Sequence, residues 1–410
     1  MIRESVSNYS VEGSIISDRM RNTQPSFIRE ILKVTEKPEM ISFAGGLPNP
    51  ISFPVVELKE SMNRIVEQYG DKVFQYSTTE GYRPLREWIA KRYQEQYHIS
   101  VDADDIIITT GSQQGLDLMG KVLINKGDKV CLEKPGYLGA IQAFSLYEPE
   151  FMSIPLLEDG IDLEELEETL ENNQVKLLYE VPNFQNPTGL TYSKEKREAL
   201  CSLLSRFETV LIEDDPYSDL SFDQEQLPYI GAGKLMNSVL FGSISKIITP
   251  GLRLGWICTK NKEILKQVTV AKQASDLHSN IFSQYLIYDY LMHNDLQRHI
   301  DGIRKLYKEQ RDAMLAATGK YFPKEVKVTN PKGGMFMWAE LPERFSSAKL
   351  FEMALQENVA FVPGNPFYTK EGDVRTLRLN YTNSDATMIE EGIKRLGKVI
   401  TTYKEMREET

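Results

Sequence analysis

The chain has 410 residues, 41% hydrophobic and 26% charged, which is the make-up of a soluble protein with material for two domains rather than one. Lys and Arg number 48 against 59 Asp and Glu, and the resulting charge of −11 argues against nucleic acid or an anionic membrane surface as the main partner. Cys131, Cys201 and Cys258 lie far apart, so neither a disulfide framework nor a zinc site is expected, and a reducing cytoplasm fits best.

In chain order, the N-terminus carries no apolar leader, and no run of about 18 apolar residues follows anywhere, so neither secretion nor membrane insertion is expected. An amphipathic segment at 24–34 precedes the Gly- and Pro-rich AGGLPNP at 44–50. Short β-rich runs then appear at 106–109, 129–132, 151–154, 177–181, 210–213, 239–241 and 254–258. Between them, 115–124, 163–170 and 194–207 carry apolar residues at helical spacing. This alternation predicts an α/β domain on a mostly parallel, seven-stranded sheet flanked by helices. Long charged helices are expected from 260 to 318, then strands at 326–329, 334–340, 360–362 and 376–381 with a helix at 348–358, which read as a smaller α+β domain. The expected division is an N-terminal segment 1–50 packing with the small domain and the active site, a large domain 51–300 and a small domain 301–410. The four histidines (His98, His278, His293 and His299) read as surface or packing residues, and no metal site is expected.

In an open, mostly parallel sheet, ligands gather outside the carboxyl ends of the strands, and four motifs fall there. The first is Thr110-Gly111-Ser112-Gln113-Gln114-Gly115, where a helix start can offer amides to a phosphate, although Gly-Ser is also ordinary N-cap chemistry. The second is Pro182-Asn183-Phe184-Gln185-Asn186-Pro187-Thr188-Gly189, either a turn or a site where Asn186 donates to a ring oxygen. The third, Asp214-Asp215-Pro216-Tyr217, is either an Asp-Pro turn or a carboxylate that keeps a ring nitrogen protonated, and spacing does not choose between Asp214 and Asp215. The fourth is GSISKIITPGLRLGW, where Ser243, Ser245 and Arg253 surround Lys246. Alone it is a polar loop with a solvated lysine. Joined to the other three, it suits a lysine that forms a Schiff base with a phosphorylated aldehyde, pyridoxal 5′-phosphate.

The ordered set ISFAGGLPNP, QYSTTEG, GSQQGLDL, PGYLGA, PNFQNPTG, EDDPYSDL, GSISKIITPGLRLGW, GGMFMW and RLNY spans residues 41 to 381. In it the chain resembles the class I/II, fold-type I pyridoxal-phosphate aminotransferases, and within them the group of 2-aminoadipate (LysN-type) and kynurenine aminotransferases. The resemblance implies that Lys246 carries the cofactor, that Asp214 is the ring-nitrogen partner, and that Asn186 and Tyr217 contact the phenolic oxygen. It also implies that Tyr137 stacks on the ring and that Ser112, Gln113, Ser243, Ser245 and Arg253 hold the phosphate. Tyr76 would reach the phosphate of a neighbouring subunit, so a homodimer is implied. Arg378 would bind the substrate α-carboxylate, with Arg375 a competitor in a plain salt bridge, and Gly46 would let the backbone approach that carboxylate. Arg29 matches an arginine that in related enzymes meets a distal carboxylate or swings away.

The reaction implied is a ping-pong transfer of an amino group from an L-amino acid, broadly 2-aminoadipate and aromatic or large apolar ones, to 2-oxoglutarate. Two rivals remain. One is a different reaction of the same cofactor, β-elimination or decarboxylation. The other is a regulator with an aminotransferase-like domain behind a winged helix, for which the roughly 40 residues before AGGLPNP are short and the charge is wrong.

Overall fold

The computed structural model describes residues 15–21, 23, 31, 39–224, 226–370 and 374–408. Arg29 and most of the 24–34 segment lie outside the described residues. A two-residue strand β1 (Ile41–Ser42) is followed by helices Val55–Tyr69 and Arg83–Tyr97 and then by the strands of the main sheet. These are β2 (Ile106–Thr109), β3 (Lys129–Lys134), β4 (Glu150–Leu157), β5 (Gly160–Ile161), β6 (Val175–Glu180), β7 (Val210–Asp215), β8 (Ser238–Ser243) and β9 (Gly255–Cys258), in spatial order β2-β9-β8-β7-β6-β3-β4-β5.

Each of the seven runs read from the sequence is a strand of this sheet, and the eighth strand is an addition to the expected seven. It is β5, two residues that turn back antiparallel on β4 at the sheet edge and are too short to show a period of their own. Strands β4, β3, β6, β7 and β8 pair in parallel, whereas β9 runs against both β8 and β2. Strand β2 therefore points the same way as β8, and their carboxyl ends open on one side.

Alternation along the strands separates the two faces. Val130, Leu132, Leu177, Tyr179, Val210 and Ile212 belong to the larger core, while Cys131, Leu178 and Leu211, one residue out of phase, belong to a second core on the opposite face. Covered on both faces, β6 and β7 are buried almost throughout, and each carries a short apolar stretch, 177–179 and 210–212, that acidic residues end. Side-chain caps fix the starts of several crossover helices: Asp162 accepts from Glu164 N and Glu165 N, and Ser193 accepts from Lys196 N. Among the described helices none is long and apolar enough to cross a membrane.

The C-terminal part contains β10 (Lys327–Val328), β11 (Phe336–Glu340), β12 (Val359–Ala360), β13 (Val362–Pro363) and β14 (Thr376–Asn380). Four of them form an antiparallel sheet in the order β10-β11-β14-β13. The fifth, β12, pairs in parallel with β1, Ile41 opposite Val359, and Asn380 N at the end of β14 donates to Phe43 O, which together tie residues 41–43 to the smaller-sheet region. Helix Leu296–Tyr321 runs without a break through residue 300 and packs along helix Ala386–Glu408.

Candidate active site

The carboxyl ends of β2, β6, β7 and β8 deliver the four motif loops to one cleft of about 540 Å³. Its other wall comes from Gly46 and Leu47 after β1, and from Phe336, Phe367 and Arg378 of the smaller-sheet region. Twelve residues singled out from the sequence line this cleft: Ser112, Gln113, Tyr137, Asn186, Asp214 and Tyr217 among them, with Ser243, Ser245, Lys246, Arg253, Gly46 and Arg378 completing the set.

Lys246 sits in the turn after β8, and its amine donates to Gly46 O at 2.9 Å. The residue is partly exposed, yet burial of the amine, aided by the nearby guanidinium groups of Arg378 and Arg253, lowers its pKa to about 8. At neutral pH about one molecule in ten then carries the neutral, nucleophilic amine, against well under one in a thousand for a solvated lysine.

Alternation along β7 separates the two aspartates. Asp214 shares the face of Ile212 and points into the cleft. Only 2% exposed, it accepts from Tyr179 Oη at 2.7 Å on Oδ2, while Oδ1 has no hydrogen-bond partner. Burial, aided by the neighbouring Asp215, raises its carboxyl to about 7, against the lowering effect of Tyr179 and, more weakly, of the nearby Ser112 hydroxyl. Asp215 is satisfied elsewhere, accepting from Asn183 Nδ2 at 3.0 Å, Ser218 N at 3.0 Å and Tyr229 Oη at 2.5 Å. A base partner is thus missing for Asp214 alone.

The loop expected to take a phosphate follows β2. Gly111 has φ of 73° and lies so close to Arg253 that a Cβ there would sit 2.6 Å from Arg253 Nη2. Glycine is required both for the backbone conformation and for this approach. Gly111 is the N-cap of helix Ser112–Leu123 and gives it no side-chain hydrogen bond, and Ser112 Oγ is buried without a partner, so Ser112 is not a capping side chain here. Ser243 Oγ accepts from Ser245 N at 3.1 Å, and Gln113 Nε2 donates to Gly139 O at 3.1 Å beside Tyr137. An open helix start, hydroxyls and a guanidinium suit a phosphate dianion.

Arg378 on β14 is 1% exposed, and burial lowers its pKa to about 10. Its guanidinium lies over Phe336 at 4.3 Å and Phe367 at 5.3 Å, donating through Nη1 to Asn186 Oδ1 at 2.9 Å and through Nη2 to Ala44 O at 2.6 Å. Nε is unpartnered. Because Asn186 accepts from Arg378, its amide NH₂ remains as a donor. Arg375, the sequence competitor, pairs with Glu340 instead. Tyr217 packs edge-on against Phe336 with centroids 6.1 Å apart, and burial raises its phenol far above the ordinary value. Tyr137 is raised by burial to about 12 and stacks on Tyr179 with centroids 6.5 Å apart.

Tyr76 is not brought to this cleft. It is 79% exposed and meets His278 edge-on at 5.8 Å. Three contributors escaped the sequence reading. Tyr179 lies inside a strand on the same face as Asp214, a diagonal pair that only the β6–β7 register discloses. Phe336 and Phe367 look like core aromatics in sequence and acquire meaning only beside Arg378.

Two buried, unpartnered oxygens, an amine with a lowered pKa and an anion cradle in one cleft fit a group that has a protonated ring nitrogen, an aldehyde and a phosphate. Comparison with known proteins agrees. The family model "Aminotransferase class I and II" matches residues 45–396. The chain is 44% identical to the 2-aminoadipate transaminase of Thermus thermophilus, over 92% of this chain and 94% of that one. It is 41% identical to aromatic-amino-acid aminotransferase 1 of Thermococcus litoralis, over 94% and 93%. The crystal structure of LysN, the α-aminoadipate aminotransferase of Thermus thermophilus complexed with N-(5′-phosphopyridoxyl)-L-leucine, superposes with a TM-score of 0.89. That protein is 40% identical, with 95% of this chain and 98% of that chain covered.

Proposed function

The chain belongs to the class I and II aminotransferases and is a pyridoxal-phosphate-dependent amino-acid aminotransferase, and from that premise we propose the roles of its residues and the course of its reaction. An amino group passes from an L-amino acid, with 2-aminoadipate and aromatic or large apolar side chains accepted, to 2-oxoglutarate in two half-reactions. The observation that carries this reading is the Lys246 amine, lowered to about 8, in one cleft with the unpaired Asp214 oxygen.

When bound, pyridoxal 5′-phosphate supplies an aldehyde that exchanges amino groups and a ring that withdraws electrons from the substrate α-carbon. Lys246 would hold the cofactor covalently at rest, and its free amine would take the proton from the substrate α-carbon onto Nζ and hand it on. Asp214 Oδ1 holds the proton of the ring nitrogen, and Tyr179 keeps Oδ2 in place. Asn186 Nδ2 and Tyr217 Oη donate to the phenolic oxygen, while Tyr137 covers the ring. Ser112, Gln113, Ser243, Ser245 and Arg253 hold the phosphate. Arg378 would take the α-carboxylate on the cleft wall it shares with Phe336, Phe367 and Gly46.

Further parts of the reading are proposals of the same standing. A homodimer is supported by the exposed Ile51, Val55, Val56 and Phe74 together with Tyr76, which in that arrangement reaches the partner's phosphate. A cytoplasmic role in amino-acid metabolism, biosynthesis included, is supported by three cysteines that all remain free. The eight-stranded and four-stranded sheets support a large domain over 51–300 and a small one over 301–410, and the pairing of Ile41 and Ser42 with Val359 and Ala360 supports an N-terminal segment that packs with the small domain. Arg29 is proposed as the contact for a distal carboxylate.

The test incubates the enzyme with a panel of L-amino acids and 2-oxoglutarate and follows glutamate. Glutamate formation that depends on the donor, and its loss in Lys246→Ala, is expected. Pyruvate and ammonia without a need for an oxo acid would contradict the reading in favour of β-elimination. Repeating the panel with Arg29→Ala should lower turnover of 2-aminoadipate selectively, and an unchanged preference would remove Arg29 from the account.

A further inference from the structure

Behind the loop from β2 to helix Ser112–Leu123 lies a buried cluster that the roles above do not use. Lys272, in helix Lys262–Ser275, is 0% exposed. Its ammonium donates to Gln114 Oε1 at 2.9 Å, to Asp276 Oδ1 and Oδ2 at 2.9 and 3.0 Å, and to Ser279 Oγ at 3.0 Å. Four acceptors surround three N–H donors, which is what an ammonium needs to be held out of water. Burial lowers its pKa and Asp276 opposes that shift.

The acceptors converge on the phosphate loop. Gln114 Oε1 also accepts from Thr110 N at 2.8 Å, and its Nε2 donates to Asp276 Oδ2 at 2.7 Å. With two donors on one side and a carboxylate on the other, this carboxamide has one workable orientation. Ser279 Oγ lies 3.3 Å from Ile108 O and shares a hydrogen bond of 3.1 Å with Thr110 Oγ1, whose hydroxyl is also 3.5 Å from Asp276 Oδ2. Residues 108, 110 and 114 are thereby held from behind by one cluster, while Ser112 and Gln113 face the cleft.

A methionine could fill the space of Lys272 without the cost of a buried charge. What the ammonium adds beyond packing is a second donor on Gln114 Oε1 and the countercharge that holds Asp276 against Gln114 Nε2, and through these it supports the orientation of Gln114 and, by Thr110 N, the closed shape of the loop. We propose that Lys272 is a positioning residue for cofactor binding, acting through Gln114 on the loop that takes the phosphate and not touching the cofactor itself. The inference rests on the reading of 110–114 as the phosphate loop.

The test measures the affinity of the cofactor-free full-length protein for pyridoxal 5′-phosphate and for unphosphorylated pyridoxal by absorbance titration. Lys272→Met should raise the dissociation constant for the phosphorylated form on the order of tenfold to a hundredfold, the loss expected for hydrogen bonds from a charged donor. The pyridoxal constant should stay unchanged. Gln114→Leu, which leaves the Lys272–Asp276 pair intact, should reproduce the effect, and it carries the test if Lys272→Met does not fold. Lys272→Arg should recover part of the loss. Equal losses for both ligands, or no loss in either variant, would overturn the proposal. Arg253→Ala serves as reference. If it too leaves the preference for the phosphorylated form intact, the phosphate assignment itself fails. If it abolishes that preference while Lys272→Met and Gln114→Leu do not, only the role of Lys272 fails.

Discussion

Replacing Asp214 by Asn should stabilise the cofactor-free protein while disabling the enzyme, and the stabilisation should depend on pH in a calculable way. The folded chain raises the Asp214 carboxyl from 3.8 to about 7 because it is buried with Oδ1 unpaired. Between those values the folded state keeps a proton that the unfolded state has lost, so stability falls as pH rises through this window. The full penalty above pH 7 is on the order of 4 kcal/mol, and at pH 5 it is about 2 kcal/mol. Asn has no such titration and can still accept from Tyr179. The advantage of Asp214→Asn over wild type in urea unfolding should therefore grow by about 2 kcal/mol from pH 5 to pH 8, and taking this difference cancels any change in packing that does not depend on pH. Turnover should fall on the order of a hundredfold or more, because a neutral amide cannot hold the ring nitrogen protonated. A pH-independent stability difference, or a wild type that gains on the variant as pH rises, would refute the reasoning.

Capture of added cofactor by the cofactor-free enzyme, followed by absorbance, should speed up about tenfold per pH unit and level off near pH 8, where Lys246 loses its proton. Glu180 lies opposite Glu213 in the β6–β7 register, with neither of its carboxylate oxygens partnered, and burial raises its pKa well above the usual range. Glu180→Gln should therefore match wild type in mild acid and be the more stable at alkaline pH in urea titrations. Gly111→Ala forces a Cβ onto Arg253 at φ 73°, so it should weaken cofactor retention in dialysis and cost roughly 1–3 kcal/mol of stability. Arg378→Lys loses the two-pronged guanidinium and should raise KM for amino acids on the order of tenfold or more in steady-state assays. Sedimentation should find a particle of twice 46.9 kDa, and Val56→Asp, at a position 66% exposed, should shift it toward the monomer.

The main sheet was legible because strands buried on both faces write themselves as short apolar runs, as in Ile106-Ile107-Ile108 and Val210-Leu211-Ile212. Strand β5 was not, since two residues carry no period. The motif loops were legible because glycine, proline and acidic residues interrupt those runs where the strands end. The choice between Asp214 and Asp215 was invisible in spacing, as both are buried, and only strand alternation with the partners of each oxygen separates them. The Lys272 cluster was illegible for a different reason. Its members at 108–114 and 272–279 are joined by topology alone, through helix Lys262–Ser275 lying against helix Ser112–Leu123. Tyr76 was legible only as part of a motif, and it stands apart from the cleft of its own chain, exposed beside His278.

The central claim is that the amine of Lys246 carries the cofactor. Borohydride reduction of the cofactor-loaded enzyme, followed by peptide mass spectrometry, tests it directly. A phosphopyridoxyl group on Lys246, absent from Lys246→Ala, is the predicted result. A label on any other lysine, or none on an enzyme that turns over, would contradict the account.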